Sequence, residues 1–460
     1  MNKISFWGAA RTVTGSKHLI ETGNKKILVD CGMFQGRKEL RERNWQTPAF
    51  DPSELDAVVL THAHMDHIGW LPRLMKLGYK GPIFCTRATK QLAGISLPDS
   101  GRIQEEDAAQ HNKRQSSRHD PALPLYTEQD AYAVLKQFEV RPYHEPFDLP
   151  GKMVCRYAFA GHILGSAFAE MYFENGQRIL MSGDLGRWNT PVIRDPEMMD
   201  FAEYLTIEST YGDRIHSNED AKARLEEIAN NAIQYGNCVL IPSFAIGRTQ
   251  ELLYLLSCLQ LEGRIGRIPI YVDSPMATST SSLYGDSKEE WDDEMRQMMN
   301  ERTNPIEPEG VQYVRDKNMS KALNVQTGPM IVIAGSGMAN GGRILHHFLH
   351  RLDDPRTVVC FTGYQAEETL GRRLLEGAPE VHIYGREVAV QASITKLNSL
   401  SAHADQSEIM LWLRGFGTPP KQTFIVHGEP HAQDTLAALI QSELGWKTHI
   451  PEHGETVVLN

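Results

Sequence analysis

Within "LTHAHMDHIGW", residues 60–70, His62, His64, Asp66 and His67 take four of six consecutive positions in the order His-x-His-x-Asp-His. Imidazole and carboxylate together suit borderline divalent ions, zinc first and manganese or iron behind it. A His-x-His pair at a strand end aims two rings at one ion, and an Asp-His pair two residues on reaches a neighbouring one. "DAVVL" before the cluster reads as a buried strand and "IGWLPRLMKLG" after it as a helix, so Asp66 and His67 fall at a helix N-terminus. The plain structural alternative is a solvated polar loop, and the density of ligand-type residues weighs against it. Four ligands are too few for two ions, so others must stand at other strand ends. His162 in "FAGHILGSA", Asp184 in "ILMSGDLGR" and His427 in "TFIVHGEPH" each follow an apolar run. Read singly, each is equally well a turn-capping aspartate or a histidine satisfied within a loop.

The elements that must position these groups change character along the chain. The first ~210 residues alternate short β-rich runs with loops, among them "KKILVDCG", "AVVLTH", "QRILMSGDLG" and "EYLTIEST", and collect polar groups along one sheet edge. From 211 to about 385, strand-like runs such as "CVLIPSF" and "MIVIAGSG" alternate with helical ones such as "NEDAKARLEEIANNAIQYG", which predicts a parallel sheet with covering helices. After 386 the short strands return. A length of 460 residues, 41% hydrophobic and 23% charged, describes a globular enzyme of two α/β domains. The N-terminal stretch lacks an apolar signal-peptide core and no segment reaches the ~18 apolar residues of a membrane span, so a cytoplasmic location with no membrane partner is expected. The six cysteines, without a CxxC pair, read as reduced core thiols. A net charge of -11 argues against coating nucleic acid by bulk positive charge, though not against a local basic groove.

Taken jointly, "THAHMDHIG", "GHILGSA" and "SGDLG" resemble three signatures of the metallo-β-lactamase superfamily, and "IESTYG", "SAHADQ" and "VHGEP" resemble the further motifs of its β-CASP branch of RNA-processing nucleases. The resemblance runs from "FWGAARTVTGS" to "VHGEPH". It implies an αββα sandwich formed by residues 1–210 and 386–460, with an inserted Rossmann-like parallel α/β β-CASP domain at 211–385. It also implies a first metal held by His62, His64 and His162, a second by Asp66, His67 and His427, and a bridging Asp184. Glu208 would hold His403 as general acid, which makes His403, Glu208, Asp66 and Asp184 the catalytic set, with two Zn2+ per chain, or Mn2+ in their place.

Two divalent ions ~3.5–4 Å apart can share a hydroxide and neutralise charge on a phosphate oxygen. A protonated His403 would assist the 3′-oxygen leaving group, typically by 10²–10⁴-fold, giving 5′-phosphate and 3′-hydroxyl products. His427, where the DNA-directed branch tends to carry Val, implies RNA, and a cleft between domains implies a single strand. Endonuclease action with some 5′-exonuclease action is expected, and a homodimer is the family-level expectation. The amides of Ser336, Gly337 and Met338 in the turn of "VIAGSGMANGGRILHHF" are candidates to cradle a phosphate, Arg248 or the pair Arg372 and Arg373 to add charge, and Tyr364 to stack on a base. A small-molecule hydrolase would not need so large an insertion. An idle RNA-binding subunit would have lost ligands, and none is missing. An oxygen-reducing di-iron site would want Glu at position 64.

Overall fold

The structure, a computed structural model, describes residues 1–114, 120–301, 303–363, 365, 368–397 and 400–460. They divide into two units. The first comprises Met1–Asn189, Asp195–Ile215 and His403–Asn460, and the second Thr190–Arg194 and His216–Ala402.

The first unit holds two seven-stranded sheets. One orders its strands Thr456–Leu459, Asn2–Phe6, His18–Thr22, Lys25–Val29, Ala57–Val59, Ile83–Cys85 and Phe138–Val140. The other runs Thr448–His449, Gln422–Val426, Tyr204–Glu208, Arg178–Met181, Ala167–Tyr172, Met153–Phe159 and Phe147–Leu149. Alternation along each strand decides the layering. Ile4, Phe6, Ile27, Val29 and Val59 of the first sheet pack with Tyr157, Ala169, Met171, Met181 and Phe424 of the second in one core. The opposite face of the second sheet, including Phe168, Leu180, Leu205, Ile207 and Ile425, packs on Ile409 and Trp412 of helix Gln406–Leu413 and on Leu436 and Ile440 of helix Pro430–Leu444. Strands covered on both faces read as unbroken apolar runs for this reason.

Strand direction then places the polar ends. Gln422–Val426, Tyr204–Glu208 and Arg178–Met181 are mutually parallel, and Met153–Phe159, two antiparallel steps from the last, runs the same way. Their carboxyl ends therefore meet along one edge, which receives His427, Glu208, Asp184 and His162. In the facing sheet the parallel strands Lys25–Val29 and Ala57–Val59 end at Asp30 and just before His62.

The second unit is built on six parallel strands in the order Val311–Tyr313, Ile270–Asp273, Met330–Ala334, Cys238–Pro242, Thr357–Phe361 and Ser393–Lys396. Helix Ala221–Tyr235 leads into the sheet, and helices such as Arg248–Leu261 and Ile344–Arg351 connect its strands. The unit's main segment, His216–Ala402, begins and ends later than 211 and 385, and Thr190–Arg194 joins it from before 211. Residues 211–215 stay with the first unit, where Tyr211 bridges Asp405 and the Gln406 amide donates to the Arg214 carbonyl. Ser393–Lys396 extends the parallel sheet beside Thr357–Phe361, carrying the second unit to Ala402.

The β-rich reading of the first 210 residues also missed a 28-residue helix, Arg87–Arg114. Its buried face is made largely of Ala88, Thr89, Ala93, Ser96, Pro98 and Gly101. Small residues give almost no apolar periodicity, and an internal proline argues locally against a helix. All six cysteines are free thiols. No helix among the described residues is long and apolar enough to cross a membrane.

Candidate metal centre

The one-turn helix Met65–Ile68 begins after His64, so the chain turns sharply within the motif and spreads its four polar side chains. That turn lies against Gly32, where a Cβ would stand 1.5 Å from the Asp66 carbonyl oxygen, so only glycine admits it. On the opposite side, a Cβ at Gly186 would fall 1.9 Å from the Gly161 carbonyl, just before His162.

Two groups of donors result. His64 enters through Nδ1, which lies 3.1 Å from Nε2 of both His62 and His162. Oδ2 of Asp184 completes this group at 3.3 Å from His62 Nε2 and 3.4 Å from His162 Nε2. In the other group His67 Nε2 lies 3.2 Å from His427 Nε2, which lies 3.3 Å from Asp66 Oδ2. The second oxygen of Asp184, Oδ1, stands 3.2 Å from His67 Nε2 and 3.5 Å from His427 Nδ1. Asp184 thus turns one oxygen to each group.

Donor chemistry fits divalent cations. A single nitrogen, His64 Nδ1, cannot hydrogen-bond fully with two facing imidazole nitrogens. Asp184 Oδ1 is buried and accepts no hydrogen bond of good geometry. Ligands at ~2.0–2.1 Å from a tetrahedral ion stand roughly 3.3 Å apart, which matches both groups. Burial holds His62 and His162 below the usual imidazole range, and burial with the neighbouring His62 takes His64 down to about 3, which favours the neutral form whose lone pair can bind a cation. Burial pushes the Asp184 carboxyl the other way, but the His427, His67 and His62 rings around it hold it well below the carboxylate range.

Several supporting residues were not singled out from the sequence. Asp30 is buried, accepts from His67 Nδ1 at 2.7 Å, and also accepts from the Thr61 amide at 2.8 Å. This fixes the His67 tautomer with Nε2 facing the donor group. Its signal was present, since "ILVDCG" ends an apolar run in Asp as "ILMSGD" does. Thr61 Oγ1 lies 3.1 Å from His62 Nδ1, and Thr210 Oγ1 lies 3.2 Å from His427 Nδ1. Asp30 and His427 both take left-handed backbone, φ 58 and φ 50. Such conformations cost non-glycine residues about 1–3 kcal/mol and persist where surrounding bonds over-determine them. Here the His427 amide donates to Ala9 at 2.7 Å and the Asp30 amide to Val59 at 2.9 Å.

His403 adjoins the first group. Its Nδ1 meets Glu208 Oε1 at 3.0 Å and Oε2 at 3.2 Å, and lies 3.9 Å from Asp184 Oδ2. Glu208 is fully buried and is itself held by the Leu185 amide at 2.7 Å and the Thr210 amide at 3.2 Å. Burial lowers the His403 pKa, but the charge and hydrogen bond of Glu208 outweigh it and raise it to about 9.

The remaining candidates belong to the second unit. Ser336, Gly337 and Met338 form the turn after Met330–Ala334. The Ser336 amide is spent on the Gly341 carbonyl at 3.3 Å, which removes it from a phosphate cradle, while among the described residues the amides of Gly337 and Met338 have no acceptor. Arg248 is paired with Glu251 one turn on and its side chain is only 9% exposed, so it is not a free surface charge. Arg372 pairs with Glu376 at 2.6 Å, and Arg373 is exposed. Tyr364 lies outside the described residues.

Two facing mixed sheets with His- and Asp-rich strand ends along one edge define a metallohydrolase of the metallo-β-lactamase class. The comparisons agree. Family models match at 13–230 (metallo-beta-lactamase superfamily), 249–374 (Beta-Casp domain) and 387–451 (Zn-dependent metallo-hydrolase RNA specificity domain). The chain is 40% identical to Ribonuclease TTHA0252 of Thermus thermophilus, over 99% of each chain. It is 32% identical to the transcription termination factor FttA of Pyrococcus horikoshii, over 99% of this chain and 71% of that one. A crystal structure of a protein of unknown function from Enterococcus faecalis matches over 100% of both chains with a TM-score of 0.57 at 12% identity, a likeness of fold alone. The chain belongs to the metallo-β-lactamase superfamily, in its β-CASP branch, and is a metal-dependent hydrolase.

Proposed function

We propose that this hydrolase is a ribonuclease that cuts phosphodiester bonds of single-stranded RNA, leaving 5′-phosphate and 3′-hydroxyl ends, as an endonuclease with some 5′-exonuclease action. The observation that carries the reading is the His403–Glu208 pair, whose His403 Nδ1 lies 3.9 Å from the Asp184 carboxylate beside the two donor groups. A hydrolase needing only activated water would have no use for a buried carboxylate that keeps a second imidazole charged. Breaking a bond to a poor alkoxide leaving group does need it. The full-length likeness to a ribonuclease supports the same substrate.

His62, His64 and His162 are assigned to one zinc ion, Asp66, His67 and His427 to a second, and Asp184 to both. Bound there, the two cations supply Lewis acidity, acidifying a water and neutralising phosphate charge. The protein's own groups do the rest. Asp30, Thr61 and Thr210 orient the ligand rings. Glu208 occupies His403 Nδ1, so Nε2 is the atom that delivers a proton to the departing 3′-oxygen. In the second unit, the amides of Gly337 and Met338 bind a backbone phosphate and Arg373 adds charge.

The test is incubation of the metal-analysed protein with end-labelled RNA and DNA of one sequence, carrying 5′-phosphate or 5′-hydroxyl ends, with products sized over time. Internal RNA fragments are expected first. Equal cutting of DNA, or no cutting of either polymer, would overturn the assignment.

A further inference from the structure

Neighbouring strands Cys238–Pro242 and Met330–Ala334 send their following connections in opposite directions. From the first the chain crosses to Ile270–Asp273, beyond Met330–Ala334; from the second it crosses to Thr357–Phe361, on the far side of Cys238–Pro242. In open α/β sheets the crevice outside the carboxyl ends of such a pair is where ligands bind. Two turns border it here, residues 243–247 after the first strand and 335–342 after the second.

Phe244 stands in the first turn and is 46% exposed, although its neighbours Ile241, Pro242 and Ser243 are buried. Its backbone is fixed, since its carbonyl accepts from Thr249 Oγ1 at 2.8 Å and from Ser243 Oγ at 3.2 Å. Its ring is backed by Gly337 of the second turn. A Cβ on Gly337 would come within 2.7 Å of both Cδ2 and Cε2, so glycine makes the room the ring uses. One turn thus offers a supported aromatic surface beside the amides of Gly337 and Met338 on the other, which have no acceptor among the described residues.

We propose that Phe244 is a stacking platform for a nucleobase of single-stranded RNA whose adjoining phosphate meets those amides. This rests on the ribonuclease reading above and adds a base-binding subsite to it. Every base has a π face, so the subsite reads the presence of a base rather than its identity, and one such stack is worth about fivefold to a hundredfold in affinity.

The test pairs protein variants with a substrate scan. Steady-state cleavage of an end-labelled RNA is measured for wild type, Phe244→Ala, Phe244→Leu and Phe244→Trp, with an abasic residue moved one position at a time along the RNA. In the wild type, one position should raise KM about fivefold to a hundredfold when its base is removed. Phe244→Ala and Phe244→Leu should raise KM for intact RNA by that factor with kcat little changed, and make that position silent. Phe244→Trp should restore both the KM and the abasic effect. A wild-type KM for Phe244→Ala, or abasic effects that simply add to it at every position, overturns the platform while leaving the ribonuclease standing. A wild type that cuts no RNA overturns both.

Discussion

Asp30 gives the most discriminating perturbation of the metal centre, because its replacement by asparagine changes hardly any volume. The carboxylate accepts from His67 Nδ1 at 2.7 Å, the Thr61 amide at 2.8 Å and Thr61 Oγ1 at 2.9 Å. In Asp30→Asn, one side-chain atom must become a donor. If the new amide faces His67, the ring can meet it only by moving its proton to Nε2, the atom turned toward His427 and Asp184. If it faces Thr61 instead, two N–H groups oppose each other in a buried site, at a cost of about 1–3 kcal/mol. The first outcome costs least in the apo protein and most in the metal-bound one. Loss of such a supporting bond costs roughly 10–100-fold in metal affinity, which is about 1.4–2.7 kcal/mol at 1.36 kcal/mol per decade. Competition titration with a chromophoric chelator should therefore show one metal equivalent bound as in wild type and the other weakened by that factor, with the apo melting temperature little changed. Two equivalents at wild-type affinity would refute the argument that Asp30 sets the His67 tautomer.

His403→Ala should keep two metal equivalents while RNA cleavage falls by about 10²–10⁴-fold, and a fully active variant would remove His403 from the reaction. Asp184→Asn takes charge from a carboxylate that turns one oxygen to each donor group, so elemental analysis should show loss of metal along with activity; two full equivalents would contradict the shared role. In the second unit, buried Asp273 accepts from Ser320 Oγ and Arg343 Nη1 at 2.6 Å and from His347 at 2.7 Å, so Asp273→Ala should destabilise by about 3–5 kcal/mol in chemical denaturation. Burial opposes ionisation of Asp273, but the bonds from His347, Ser320 and Arg343 hold its pKa below 3.8. A depressed folded-state pKa contributes stability that is complete above the unfolded value and lost as pH falls through the folded one. The stability gap between wild type and Asp273→Asn should accordingly shrink as pH drops below 3.8.

Fold and site were legible to different depths for physical reasons. The parallel sheet of the second unit showed itself because strands such as Val239–Ile241 and Ile331–Ile333, buried on both faces, cannot be anything but apolar. Helix Arg87–Arg114 hid because its buried face is small rather than greasy. The unit boundaries were displaced because Ser393–Lys396 is a partly exposed edge strand, whose mixed polarity resembles the short strands of the first unit. Which sheet an edge strand joins depends on pairing partners far away in the chain, and local pattern does not encode that.

The metal centre follows the same logic at the scale of single side chains. Ligands must be of a few chemical types, so His62, His64, Asp66 and His67 stand out wherever they cluster, and His162, Asp184 and His427 stand out once a second ion is required. Residues that contact the candidate ligands are under no such restriction: Thr61 and Thr210 reach His62 and His427 with a hydroxyl of a kind common in turns. Phe244 and Gly337 are less legible still, since a phenylalanine and a glycine 93 residues apart acquire meaning only when two parallel strands bring their turns together. What the sequence hides is therefore the residues that hold the candidate ligands and the juxtaposition of turns from distant parts of the chain, because both depend on contacts that local pattern does not encode.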